Sequence, residues 1–184
     1  DELPFVGELL QVQEEDAEWE GALERLLHGF GISLLIPKYR YNQIITWMEK
    51  HSLKQRLVYY SAETDEFPVD FEDLPEEAAC RKLMIRHDSK YFGWLTAELK
   101  QRFNHVCCES INDFKKEKFA ITKGGQVKLG GKRHEKDDRF DINDRRRYVL
   151  GFSNLKKIGA LEAELEDLKT EEKRIQREIT KLKT

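Results

Sequence analysis

The sequence predicts a mixed α/β (α+β) body of two lobes followed by a coiled-coil helix. Three observations predict it. Short apolar runs alternate with amphipathic stretches between residues 7 and 150, an acidic proline-containing connection divides them, and the final segment carries a heptad stripe. A chain of 184 residues suits one domain or two small lobes sharing a core. Ten Phe, six Tyr and three Trp predict a packed interior rather than a disordered chain.

Residues 1–62 read as a βαβαβ lobe. GELLQV (Gly7–Val12) is the first predicted strand, and Asp16 offers a cap to a helix reaching His28. Trp19, Ala22, Leu23, Leu26 and Leu27 give that helix one apolar face, and Gly29 and Gly31 stop it. Ile32–Ile36, closed by Pro37, reads as a strand buried on both faces. Tyr41, Ile44, Ile45 and Met48 mark a second helix and Leu57–Tyr60 a third strand, so a parallel or mixed sheet is expected. Residues 63–75 form the acidic connection; the stretch 61–75 holds six carboxylates, two prolines and no base, and reads as a solvated surface loop.

Residues 76–154 form the second lobe. Lys82–Arg86 is a predicted strand, Ser89 caps a helix carrying Tyr91, Phe92, Leu95, Leu99 and Phe103, and His105–Cys108 is strand-like. Ser110 starts a short helix, and Phe119–Lys123 with Gln126–Leu129 flank a Gly124-Gly125 hairpin turn. From residue 155 onward, Ile158, Leu161, Leu165, Leu168, Ile175, Ile179 and Leu182 follow a 3-4 alternation with one polar break at Glu172. So narrow a seam needs a second helix beside it, expected either from sequence ahead of Asp1 or from another chain.

Charge is unevenly divided. Residues 1–100 carry 11 Lys+Arg against 20 Asp+Glu, and residues 101–184 carry 21 against 15. Lys115–Arg147 holds twelve bases against six acids. Within it Lys115, Lys116, Lys118, Lys123, Lys128, Lys132, Arg133 and Lys136 either neutralise phosphates without reading bases or form a soluble face with internal ion pairs. Asp137, Asp138, Asp141 and Asp144 lack calcium-loop spacing and are interleaved with arginines, so a salt-bridged loop is expected and no metal site. Cys80, Cys107 and Cys108 are an odd count with two adjacent, which argues for structural thiols in a reducing compartment. Neither a phosphate-binding P-loop nor a dinucleotide fingerprint is present. No catalytic residue and no cofactor of the segment's own are therefore expected. No apolar run reaches the roughly 20 residues of a membrane span, so no membrane partner is expected.

The stretches Leu3–Val12, Trp19–Pro37, Arg56–Tyr60, Ala120–Arg139 and Arg146–Phe152 resemble the hinge of SMC (structural maintenance of chromosomes) proteins. They are most similar to hinges of the MukB type, in the SMC-like subunits of bacterial Wadjet plasmid-defence systems. A long charged insertion after Gly131 departs from the SMC pattern. The resemblance implies a two-lobed homodimerisation module that interrupts an antiparallel coiled coil. It implies dimer contacts at Gly124, Gly125, Gln126, Val127, Gly130 and Gly131, where glycines allow close backbone approach. Non-specific contact with double-stranded DNA would fall to Lys115, Lys116, Lys118, Lys128, Lys132, Arg133 and Lys136. The implied parent is a cytoplasmic bacterial ATPase, nucleoid- or plasmid-associated, with ATP and magnesium in a distant head domain. Its implied partners are kleisin-like, accessory and nuclease subunits.

Overall fold

Two- and three-residue pairings cannot stand alone in water, and this fold makes its short strands stable by packing them on helices. The computed structural model describes residues 3–64, 70–153 and 155–182, without the side chains of 155–157, 160, 181 and 182. Residues 65–69 of the acidic connection lie outside the described residues. Strand β1 (Leu10–Val12) pairs antiparallel with β4 (Leu83–Ile85), so that Leu10 faces Ile85 and Val12 faces Leu83. Strand β2 (Leu34–Pro37) pairs in parallel with β3 (Tyr59–Ala62) across helix α2 (Tyr41–Lys50). The remaining sheet runs β5 (Val106–Cys108), β6 (Ala120–Thr122), β7 (Gln126–Leu129), β8 (Arg133–Lys136), with β5 parallel to β6 and the other pairs antiparallel.

The first strand does not join the sheet of its own lobe. Residues 4–6 already hold the free side of β2: Leu35 N donates to Pro4 O at 2.9 Å and Val6 N to Ser33 O at 2.9 Å. A 3-10 turn over Val6–Leu9 then redirects the chain toward β4. As a result one apolar core joins residues on both sides of the acidic connection. Helix α1 (Glu20–Gly31) contributes Leu23, Leu27 and Phe30, and helix α3 (Phe92–Arg102) contributes Leu95 and Leu99, around Leu10, Leu83, Cys107 and Ile121.

Asp16 is not a helix cap. It lies inside a 3-10 stretch (Glu14–Trp19) at φ −105°, ψ 18°, and its carboxylate accepts from Lys82 Nζ at 2.5 Å, a tie between the lobes. Ser89 likewise sits ahead of its helix, accepting from Tyr91 N at 3.1 Å. Ser110 does cap helix α4 (Ile111–Lys116): its Oγ accepts from Asp113 N at 3.1 Å and donates to the Asp113 carboxylate at 2.6 Å. The charged run after Gly131 contains a strand that alternation did not reveal, because all four residues of β8 are exposed. Gly130 and Gly131, at φ 74° and 89°, turn the chain into it, a conformation a side chain would oppose.

His105, just ahead of β5, is 1% exposed, and neither ring nitrogen has a hydrogen-bond partner. Its ring meets the edge of Phe119, centroids 5.6 Å apart. Burial pushes the imidazole down to about 4, so it is held neutral in the folded protein. Between pH 6.5 and 4 the unfolded chain binds a proton there that the folded chain refuses, and stability falls as pH falls. Urea unfolding should show a loss of about 2 kcal/mol between pH 7.5 and 5, absent in His105→Leu. Equal pH slopes in the two proteins would contradict this.

Candidate functional site

The cationic tract is largely used inside the protein. Lys128 is 7% exposed, and its Nζ donates to the carbonyls of Phe114 and Lys115 at 3.3 and 2.9 Å, closing the C-terminal end of α4. It is an internal contact and is corrected out of the duplex-facing set. Lys116 pairs with Asp113, Arg133 with Glu135, and Lys136 with Asp138 while also bonding Gly124 O at 2.7 Å. Lys123 bridges Glu18 and Glu109. Most of the tract is thus paired within the chain, much of it at the surface, and Lys115, Lys118 and Lys132 are its exposed cations without an ion pair among the described residues.

Three of the four aspartates, Asp137, Asp138 and Asp144, are paired as well, whereas Asp141 accepts from Asn143 N at 2.8 Å. Arg139 holds the Asp137 carboxyl far below the usual carboxylate range, and Lys136 with Arg25 lowers Asp138. Asp144 is lowered by Arg146 in the same way, and Arg146 also pairs with Glu164. No group of three metal-binding side chains occurs among the described residues. Desolvation pushes the buried Cys80 thiol up to about 11 and Cys107 to about 12, which disfavours their thiolates.

Among the described residues β3, β8 and both strands of the β1–β4 pair have no outer strand neighbour. On the four-stranded sheet, β5 is covered by residues 77–79: Ala79 N donates to His105 O and Cys107 N to Glu77 O. Strand β8, at the opposite side, has no outer neighbour, and neither has β3. Acidic chain follows β3, beginning with Glu63, whereas β8 opens behind Lys132. The glycine positions divide accordingly. Gly130 and Gly131 are exposed beside β8. Gly125 and Val127 are buried within their own chain, where a Cβ on Gly125 would meet Arg25 and Ile142 near 3.0 Å. Gln126 is half-buried and Gly124 exposed.

Residues 142–152 form a strap that crosses α1 and roots the terminal helix. The Glu24 side chain, 4% exposed as a residue, accepts from Val149 N at 2.8 Å and Leu150 N at 2.9 Å. The strap lies close because Gly7, Gly21 and Gly31 present no side chain to it. Gly151 N donates to Gly7 O at 3.0 Å, and Arg86 reaches Phe152 O at 2.9 Å while its guanidinium covers the Phe152 ring. A 3-10 turn, Arg145–Arg147, links Glu20 of α1 through Arg145 to Glu164 of the last helix through Arg146. Glu24 lies on the polar side of the predicted apolar face, and its local sequence carries no mark of this role.

Helix α5 (Leu155–Leu182) is 28 residues long, about 42 Å at 1.5 Å per residue. Ile158, Leu161, Leu165, Leu168, Ile175 and Ile179 are 38% to 61% exposed along it. The side chain of Leu182 lies outside the described residues. No helix of the described residues is long and apolar enough to cross a membrane.

This arrangement is the fold of SMC hinge domains. The hinge of Geobacillus stearothermophilus SMC, solved as an asymmetric dimer, matches with a TM-score of 0.54 and 14% identity over 95% of this chain and 71% of that one. The Pyrococcus furiosus SMC hinge matches at 0.53 and 16% identity over 73% of this chain and 72% of that one. Its form with an extended coiled coil matches at 0.54 and 18% identity, over 95% of this chain and 63% of the other. No family model and no curated protein matches the sequence.

Proposed function

We propose that the chain is a homodimerisation hinge that joins coiled-coil arms. The observation that carries this reading is α5, which leaves the body with its leucine-isoleucine stripe uncovered and needs a second helix along it. Phe5 and Phe152 line one cavity of about 450 Å³, so a helix joined to residue 3 would start beside the root of α5. The likeness to SMC hinges, one of them solved as a dimer, supports the same reading.

For the contact between copies we pair the open edges of β3 and β8, whose flanking charges are opposite in sign. Strand β3 of one chain meets β8 of the other, and a two-fold axis repeats the seam, which closes the assembly at two subunits. The acidic chain after β3 and the basic start of β8 have the complementary signs such a seam needs. Gly130 and Gly131 fall at this seam. The contact with duplex DNA rests on Lys115, Lys118 and Lys132, and this segment has no catalytic role. The setting in a MukB-type, Wadjet-like ATPase rests on the sequence stretches named above.

Light scattering across micromolar concentrations tests the proposal. The expected mass is twice 21.8 kDa, falling toward one chain when Lys132→Glu and Arg133→Glu are combined. A wild-type monomer throughout that range would refute it.

A further inference from the structure

The uncovered stripe of α5 carries one charge. Leu165, Glu172 and Ile179 follow one another at heptad spacing, so Glu172 occupies a core position of the seam rather than its edge. It is exposed and makes no ion pair among the described residues. Its own helix does not supply it with a cation. Lys169, one turn back, pairs with Glu166 at 3.8 Å, and Gln176, one turn on, is neutral. Lys173, the next residue, falls on another side of the helix.

The two edges of the seam differ in charge. One repeats Glu164, Glu171 and Glu178 at heptad spacing, whereas the other, Glu162, Lys169 and Gln176, is mixed. Glu164 is tied to the body through Arg146, and Glu171 accepts from Arg174 at 2.6 Å. Glu178 is exposed and makes no ion pair among the described residues.

We propose that the helix covering α5 carries a lysine or arginine in the core layer opposite Glu172 and basic residues along the edge that meets Glu171 and Glu178, and that it is not a second copy of α5. This rests on the reading of α5 as half of a coiled coil and states the chemistry of the other half. Two copies running in the same direction would bring Glu172 against Glu172 inside the seam. Two copies running in opposite directions would lay their glutamate edges together. Like charges meet in both arrangements, and both are disfavoured. A wholly apolar partner would leave the Glu172 carboxylate unpaired between packed side chains. A cationic partner slipped by one heptad would strand both charges in the same way. Glu172 thus marks the register, as a single polar core residue does in two-stranded coiled coils.

The test uses the 184-residue chain and three fluorescein-labelled helices of 28 residues, the length of α5, followed by anisotropy. Two are synthetic, with Ile and Leu in the core and Lys along one edge. They differ in the core layer aligned with Glu172, which is Lys in one and Glu in the other. The third reproduces Leu155–Leu182 of this chain. The core-Lys helix should bind about tenfold more tightly than the core-Glu helix, and the copy of α5 should bind no better than the latter. Glu172→Lys in the chain should reverse the order of the two synthetic helices. A general loss of fold cannot produce that reversal, and circular dichroism of the variant records its helix content. The proposal alone is overturned if the core-Lys and core-Glu helices bind within twofold of each other, or if Glu172→Lys leaves their order unchanged. It is likewise overturned if the copy of α5 binds as tightly as the core-Lys helix, which would make the stripe self-pairing. Binding of none of the three overturns it together with the reading of α5 as half of a coiled coil.

Discussion

Replacing Glu24 with alanine is expected to lower the unfolding free energy by about 3–5 kcal/mol, because two buried backbone donors lose a charged acceptor at once. Both oxygens of this carboxylate are engaged by consecutive amides, Val149 N and Leu150 N, in a place where water does not replace them. Glu24→Gln keeps one acceptor oxygen and turns the other into a donor facing a donor, so an intermediate loss is expected. Urea unfolding of the three proteins measures this directly. An alanine variant within 1 kcal/mol of wild type would mean that the strap is held by its apolar contacts alone.

Gly7→Ala should cost a comparable amount, about 3 kcal/mol or more, for a steric reason. A Cβ at residue 7 would run into the Val149 carbonyl and lie 3.1 Å from Gly31 O, and both obstacles are backbone that cannot swing away. Gly29→Ala is the matched control. It stands in the same helix-and-strap region, yet a Cβ there meets nothing within 4 Å. Inside α1, alanine at 29 should stabilise by about 0.5–1 kcal/mol through helix propensity. Thermal melts of the pair should therefore move in opposite directions, and a Gly7→Ala protein that melts with wild type would remove the close approach from the explanation.

Local signals in the sequence match the structure where local physics decides the outcome. Ser110 caps α4, the glycine-rich turns make hairpins, and the heptad stripe forms one continuous exposed helix. The pairing of β1 with β4 was hidden because residues 4–6 compete for the same edge of β2, a contest between segments that no window of sequence reports. Asp16 looked like a cap because its chemistry suits one, but Lys82, 66 residues away, takes its carboxylate. Lys128 looked solvated for the same kind of reason: charge per residue does not reveal that α4 ends over its ammonium. The basic, glycine-rich region and the heptad seam are visible in the sequence as patterns of charge and spacing. The division of that region into an open β8, an internally packed Gly125 and a strap on Glu24 depends on long-range packing.

The strap has a mechanical consequence. Covalently, the terminal helix continues from the strap, but its root is clamped onto α1, more than a hundred residues earlier, by Glu24, the Arg145–Glu20 pair and the Gly7 contact. Torque on that helix is thus delivered to α1 and, through the shared core, to the whole body. With the clamp released, the same twist would be absorbed in the backbone around Gly151 and the body would not turn.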